Sequence, residues 1–188
     1  NFTTLNHKLL KYVDSFFRFD ITASIDSVDE NYHYVRWPAQ FAKIKANIVE
    51  WADIRKNKPT TFTIASVWSL NNIFYINEYL DFLLECYSIH PDLLARVIHL
   101  ESPNLLAIEN LPVPYRLHLL EYIQKALTHP VVNLDSTVGI KLFLQGVERF
   151  LISNTVMSDS FGKFLYFTAN FDKRTHCRFD EYNTRLYQ

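Results

Sequence analysis

Glycine is scarce in this sequence: of 188 residues only Gly139, Gly146 and Gly162 are glycines, all toward the C-terminal end. That excludes a Gly-rich loop able to cradle phosphates, and neither a GxSxG elbow nor an HExxH pair is present. Cysteine is scarcer still. Cys86 and Cys177 stand far apart and outside any CxxC spacing, so by themselves they cannot supply the ligand set of a structural zinc or an iron–sulfur site. Both read as free thiols of a reducing compartment, with a disulfide between them left open. Net charge is nearly absent too, since 19 Lys and Arg against 20 Asp and Glu leave -1. This removes a general electrostatic drive toward nucleic acid or anionic membrane and leaves room only for a local basic patch. No apolar run is long enough to span a bilayer, and the first residues, NFTTLNHKLL, lack the basic-then-apolar layout of a signal peptide. Neither nucleic acid nor membrane is expected as a partner, and a cytoplasmic location is the default.

What the chain does have is a core-forming composition, 48% hydrophobic and 15% aromatic, and a length that fits one domain but falls short of a complete (β/α) barrel. The clearest local pattern lies in FFRFDITASID. Phe17, Phe19, Ile21, Ala23 and Ile25 alternate with Arg18, Asp20, Thr22, Ser24 and Asp26, the period of a strand with one apolar and one polar face. A polar loop, SVDENYHY, is expected next, and then a helix opening near Pro38 with Phe41, Ile44, Ile48 and Trp51 on its buried face. TTFTIASVW reads as a second strand. SLNN caps a helix through Phe74, Ile76, Leu80 and Leu83, with Asn71 and Asn72 as N-cap and neighbour. ARVIHL reads as a third strand, LLAIENLPVP as an extended segment, and the remainder as helical.

Strand–helix–strand–helix–strand is the pattern of parallel βαβ units. Central strands of an open doubly wound sheet are apolar on both faces, whereas the first strand here is apolar on one. The expectation is therefore an α/β chain forming half of a partial barrel with parallel strands over residues 1–112, its even positions lining a polar lumen. An α-rich C-terminal segment follows over 113–188. Active sites of such folds gather at the C-terminal strand ends, where Ser24 and Asp26, Ser66 and Trp68, and His99 and Glu101 fall.

At these positions the sequence resembles radical SAM enzymes. SIDSVDENYHYVRWPAQFAKIKANI is similar to their S-x-D-[GS] strand end, acidic and aromatic loop, and Y-x-R-x-x-x-x-F helix opening. NFTTLN is similar to the end of their preceding strand. ESPNLLAIENLPVPYR resembles a P-x-x-L-x-[IV]-x-x-LP-x-x-[KR] stretch after the sixth strand. FDKRTHCRFDEYNTRL resembles the closing segment of twitch-domain members, with Thr175 where the family has Gly. The matches are spread over nearly the whole chain.

The resemblance implies a six-stranded TIM-like partial barrel and two cofactors, S-adenosylmethionine and a [4Fe-4S] cluster. The cluster reductively cleaves S-adenosylmethionine to a 5'-deoxyadenosyl radical for hydrogen abstraction. It also implies that Ser24 and Asp26 contact the ribose and Arg36 the carboxylate of S-adenosylmethionine, chemistry that suits acceptors for hydroxyls and a planar guanidinium for a carboxylate. Trp68, His99 and Glu101 are candidates on the substrate side. The CxxxCxxC loop and the Gly-Gly-Glu strand are absent from this chain, so it is expected to be the C-terminal portion of such an enzyme. The implied partners are the N-terminal half of the same protein, an electron donor, and a peptide or small-molecule substrate. No metal is held by its own cysteines.

Simpler readings stand beside these. Ser24 and Asp26 are also turn formers. Arg36 is also a surface residue near a helix start, where a cation is slightly disfavoured. Asp172, Lys173 and Arg174 read as a solvated or interdomain ion pair of little energetic consequence. A noncatalytic α-rich interaction module is the alternative function. A cluster-free barrel enzyme using Asp26, His99 and Glu101 for acid–base chemistry is a third.

Overall fold

The computed structural model describes residues 2–55, 60–100, 102–153 and 160–186. A short helix α1 (His7–Leu10) precedes strand β1 (Phe19–Ser24), which leads into α2 (Asp29–Val35) and α3 (Phe41–Arg55). Then come β2 (Thr60–Trp68), α4 (Ile76–Ile89) and β3 (Leu94–His99). The rest is helical, in α5 (Val113–Leu127), α6 (Val138–Ile152), α7 (Phe161–Thr175) and the short α8 (Phe179–Tyr182). The strands form one parallel sheet in the sequential order β1-β2-β3.

Register decides which side chains share a face, because residues paired across a sheet point the same way. Ile21 pairs with Phe62, and Ala23 with Ile64, which in turn pairs with Ala95. This face packs on the crossover helices: Trp51 of α3 has its ring 5.9 Å from Phe19, and Tyr79 of α4 has its ring 5.0 Å from Trp68. Trp51, Phe62, Ile64, Trp68 and Tyr79 are fully buried, each contributing about 1.5–3 kcal/mol from the apolar area removed from water. The other face holds Asp20 and Thr22 on β1 and Arg96 on β3, all exposed. There Arg18 bridges Asp20 at 3.0 Å and Thr61 at 3.2 Å.

The helical C-terminal part continues this core. α6 lies against β3 and α5 against α4 and α6, and Leu119, Ile123, Ile140 and Leu144 belong to the same buried cluster as Ile64 and Trp68. The segment after β3 forms two short 3-10 turns, Asn104–Leu106 and Ile108–Asn110, where the sequence pointed to extended chain. α7 returns to the C-terminal ends of the strands, with Phe167 and Phe171 beside Asp26 and Val67.

Two further local expectations are overturned. Phe17, placed on the apolar face of the strand, precedes its first residue and is 96% exposed. SVDENYHY is largely helical, since α2 begins at Asp29 and buries Asn31, Tyr32 and Tyr34. Asp29 and Glu30 sit in its first turn, where the helix dipole favours acids. Seven residues are too few for a 3.6-residue period to stand out from the preceding alternation.

Candidate functional site

Asp26 lies just past β1, where the ladder is prolonged by the Ile25 N–H donating to the Ala65 carbonyl at 2.9 Å. Its carboxylate is 8% exposed. One oxygen accepts from the Val67 N–H at 2.9 Å, and the other pairs with Arg36 Nη2 at 2.5 Å. Burial pushes the Asp26 pKa above the ordinary carboxylate value, opposed by the Val67 N–H and by the Arg36 charge. The ion pair and the N–H together supply what the buried carboxylate requires.

Arg36 caps the C-terminal end of α2, its N–H donating to the Tyr32 carbonyl at 2.9 Å. The expected placement at a helix start, with its mild penalty, is thereby corrected: a cation at a helix C-terminus is favoured. Among the described residues, Arg36 Nε, the Tyr32 hydroxyl and Asn71 Oδ1 are buried polar atoms without a hydrogen-bond partner. The Tyr32 phenol is held above its ordinary pKa chiefly by burial, with the charges of Arg36 and Asp26 acting on it in opposite senses.

Asp26 opens on a cavity of about 210 Å³ whose lining includes Val67, Asn71, Leu106, Phe167 and Phe171. Arg36 opens instead on a separate surface cavity of about 370 Å³ with Thr3, Thr4 and Lys43. The pair thus forms a partition between two cavities. Ser24 is half-buried on the same side of β1 and lines neither of them.

The remaining candidates lie elsewhere. Trp68 is fully buried, its Nε1–H donating to Ser66 Oγ at 2.9 Å, so no ring face is left for an adenine or a substrate. His99 pairs in register with Trp68 and therefore belongs to the helix-covered side, opposite Asp26. There its Nε2 is 3.1 Å from Glu109 Oε2 and its ring meets Phe143 edge-on. Glu101 lies outside the described residues. Asp172 is no solvated ion pair, since it accepts from the Tyr34 hydroxyl and from the Phe179 N–H, each at 2.9 Å.

Asn72 has a role the sequence did not suggest. Its side chain makes no helix-capping bond, and its Nδ2 donates to the main-chain carbonyls of Asp26 at 2.5 Å and Val67 at 2.8 Å. Asn31, fully buried, donates to the carbonyl of Asn71 and to that of Tyr182, tying the strand ends to the C-terminal segment. The aromatic stripe in FGKFLYFTANF was the one available sign of Phe167 and Phe171.

An iron–sulfur cluster does not fit the cysteines present. Cys86 and Cys177 are both free and buried, and burial pushes the Cys86 thiol up to about 12, so it is not the thiolate a metal requires. No group of three His, Cys, Asp or Glu able to hold a metal occurs among the described residues, and none of the described helices is long and apolar enough to cross a membrane. Comparison with protein families, with curated proteins and with solved structures finds no match to this chain.

Proposed function

We propose that this chain is the C-terminal part of a radical SAM enzyme, with β1 to β3 as the second half of a six-stranded partial barrel. One observation carries the reading. Asp26 lies just past the first strand on the polar side of a sequentially ordered parallel sheet, buried and joined to Arg36, the two positions that the resemblance assigns to S-adenosylmethionine. The crossover helices pack on the opposite face, as a barrel segment requires.

The residues of this chain bind and orient. Asp26, which lines the cavity of about 210 Å³, is the acceptor for a ribose hydroxyl, and Ser24, on the same side of β1 but outside that cavity, would become one only where the first half of the barrel completes the pocket. Arg36, with a buried Nε still unpartnered, is the donor for a carboxylate. S-adenosylmethionine, once bound, supplies a sulfonium whose reductive cleavage starts hydrogen abstraction from the substrate. The cluster and the delivery of electrons belong, in this reading, to the N-terminal half, and no step through them is assigned to this chain.

A second reading, the noncatalytic interaction module, is favoured by one feature. Both carboxylate oxygens of Asp26 already have protein partners, and the cavity of about 210 Å³ is smaller than the roughly 300 Å³ at which ligand pockets begin.

One experiment separates them. Protein translated from the complete reading frame containing this chain, purified without oxygen, is expected to hold iron and acid-labile sulfide. It is also expected to release 5'-deoxyadenosine from S-adenosylmethionine under dithionite, and Asp26→Asn should weaken S-adenosylmethionine binding. Protein with neither iron nor 5'-deoxyadenosine formation would overturn the radical SAM reading in favour of the interaction module.

A further inference from the structure

One side of α7, from exposed Lys163 and Tyr166 to Phe171 at the margin of the core, carries Lys163, Tyr166, Phe167, Asn170, Phe171 and Arg174, and they line a surface groove of about 690 Å³. The helical repeat of 100° per residue puts Lys163 and Arg174 on one stripe, about 16 Å apart at 1.5 Å rise per residue. Both are exposed and neither has an ion-pair partner among the described residues. No acidic residue lines the groove. A chain of net charge -1 therefore holds two uncompensated cations at the ends of an aromatic floor. The groove beside α2 and α8, about 670 Å³, has the opposite balance, with Asp29, Glu30 and Glu181 against Lys45 and His33.

We propose that the α7 groove binds an extended acidic peptide, with a carboxylate side chain at each end on Lys163 and Arg174 and apolar side chains between them on Tyr166, Phe167 and Phe171. Extended chain advances about 3.3 Å per residue, so about five residues cover the distance between the cations. Tyr166, 74% exposed, offers a ring face at low entropic cost, and Asn170 offers its Oδ1 as an acceptor and one hydrogen of its Nδ2, the other going to the Tyr166 carbonyl at 2.9 Å. Two cations are too few to hold a nucleic acid, whose binding is driven by neutralising many phosphates.

Position gives the groove its significance. Phe167 and Phe171 form one wall of the groove and one wall of the Asp26 cavity, so a peptide lying along α7 runs next to the strand ends. As the substrate of the proposed enzyme the peptide rests on that reading. Its binding needs neither S-adenosylmethionine nor a cluster, so the two fail separately.

The probe is a fluorescein-labelled heptapeptide, Glu-Ser-Phe-Ser-Leu-Ser-Glu, titrated with the chain by fluorescence anisotropy, beside a counterpart with lysine at both ends. The expected result is saturable binding of the glutamate peptide alone, weakening as salt rises from about 0.05 to about 0.5 M. Lys163→Glu and Arg174→Glu should each weaken it about ten-fold, and the double variant should prefer the lysine peptide. Both positions are exposed, and circular dichroism reports whether the variants keep their fold. Equal binding of the two peptides, or glutamate-peptide binding untouched by the double variant, would overturn the proposal. So would concentration-dependent self-association that the double variant abolishes, because the groove would then be covered by a second copy.

Discussion

The Asn72 side-chain amide donates to the carbonyls of Asp26 and Val67 at once, so a single residue holds together the chain just past β1 and the end of β2. Asn72 is 1% exposed, so both bonds lie away from bulk solvent. Asn72→Ala leaves two carbonyls without this donor, at about 1–3 kcal/mol for each group left unsatisfied. The expected outcome is a loss of about 2–4 kcal/mol in urea unfolding with an unchanged m-value. Asn72→Ser, whose hydroxyl offers a single hydrogen, should recover only part of it.

Removing the guanidinium beside Asp26 tests whether the pair holds the carboxylate charged. The Asp26 pKa is raised by burial in the folded state, so the folded protein binds this proton more readily than the unfolded chain. The stability linked to Asp26 is therefore fully present below its unfolded value of 3.8 and is lost as pH rises through the folded value. Arg36→Met takes away a charge that opposes the shift. It should move the Asp26 titration, followed by carboxyl carbon resonances, further up, and make stability fall more between the two values than in the unmodified chain. An Asp26 titration left unmoved by Arg36→Met would show that the ion pair does not set it.

His90 is buried between Phe62, Ile48 and Arg55. The Ile48 carbonyl can only accept, so Nε2 carries the hydrogen, at 3.2 Å, and Nδ1 is the acceptor facing Arg55 Nη1 at 3.4 Å. Burial chiefly, and the Arg55 charge next, hold the His90 pKa below 6.5, while the Ile48 carbonyl and Asp92 act in the other sense. With the folded value depressed, the stability due to neutral His90 is complete above pH 6.5 and is lost as pH falls from there through the folded value. His90→Gln should flatten the pH dependence of urea unfolding on the acid side of neutrality. An identical dependence in the variant would assign it to other groups.

The two thiols provide a direct chemical test. Cys86, 2% exposed, and Cys177, 5% exposed, are expected to resist a water-soluble disulfide reagent in the native chain at pH 8 and to react together once urea unfolds it. Treating the chain alone with iron and sulfide should give no visible cluster absorbance. A cluster formed on this chain by itself would contradict the assignment of those ligands to another part of the protein.

The alternation through FRFDITASID marked β1 and its polar face, and the β-branched run TTFTIASVW marked β2, because a strand's two environments are written residue by residue. Asp26 and Arg36 were picked out by the resemblance, which implies that both touch one ligand, and the fold brings them together. α2 was missed because its seven residues bury Asn31 as well as Tyr32 and Tyr34. That polar side chain looks like a loop residue until its partners, Asn71 and Tyr182, are known. Trp68 and His99 stood at strand ends in the sequence, yet both face the helices, because parity within a strand says nothing about which parity of its neighbour it meets.

The sequence by itself determined the parallel α/β class, the strand segments, and the poverty in glycine, cysteine and net charge that removes phosphate loops, self-sufficient metal sites and broad polyanion binding. Tertiary structure alone decided that Asp26 and Arg36 form a wall between two cavities, that Asn72 clasps two strand ends, and that α7 lays its aromatic stripe beside them. Local pattern records how each segment meets solvent and core. Which side chains converge depends on register and on helix returns across distances of 40 to 150 residues, as between Asn31 and its partners Asn71 and Tyr182, and these are settled only when the whole core packs.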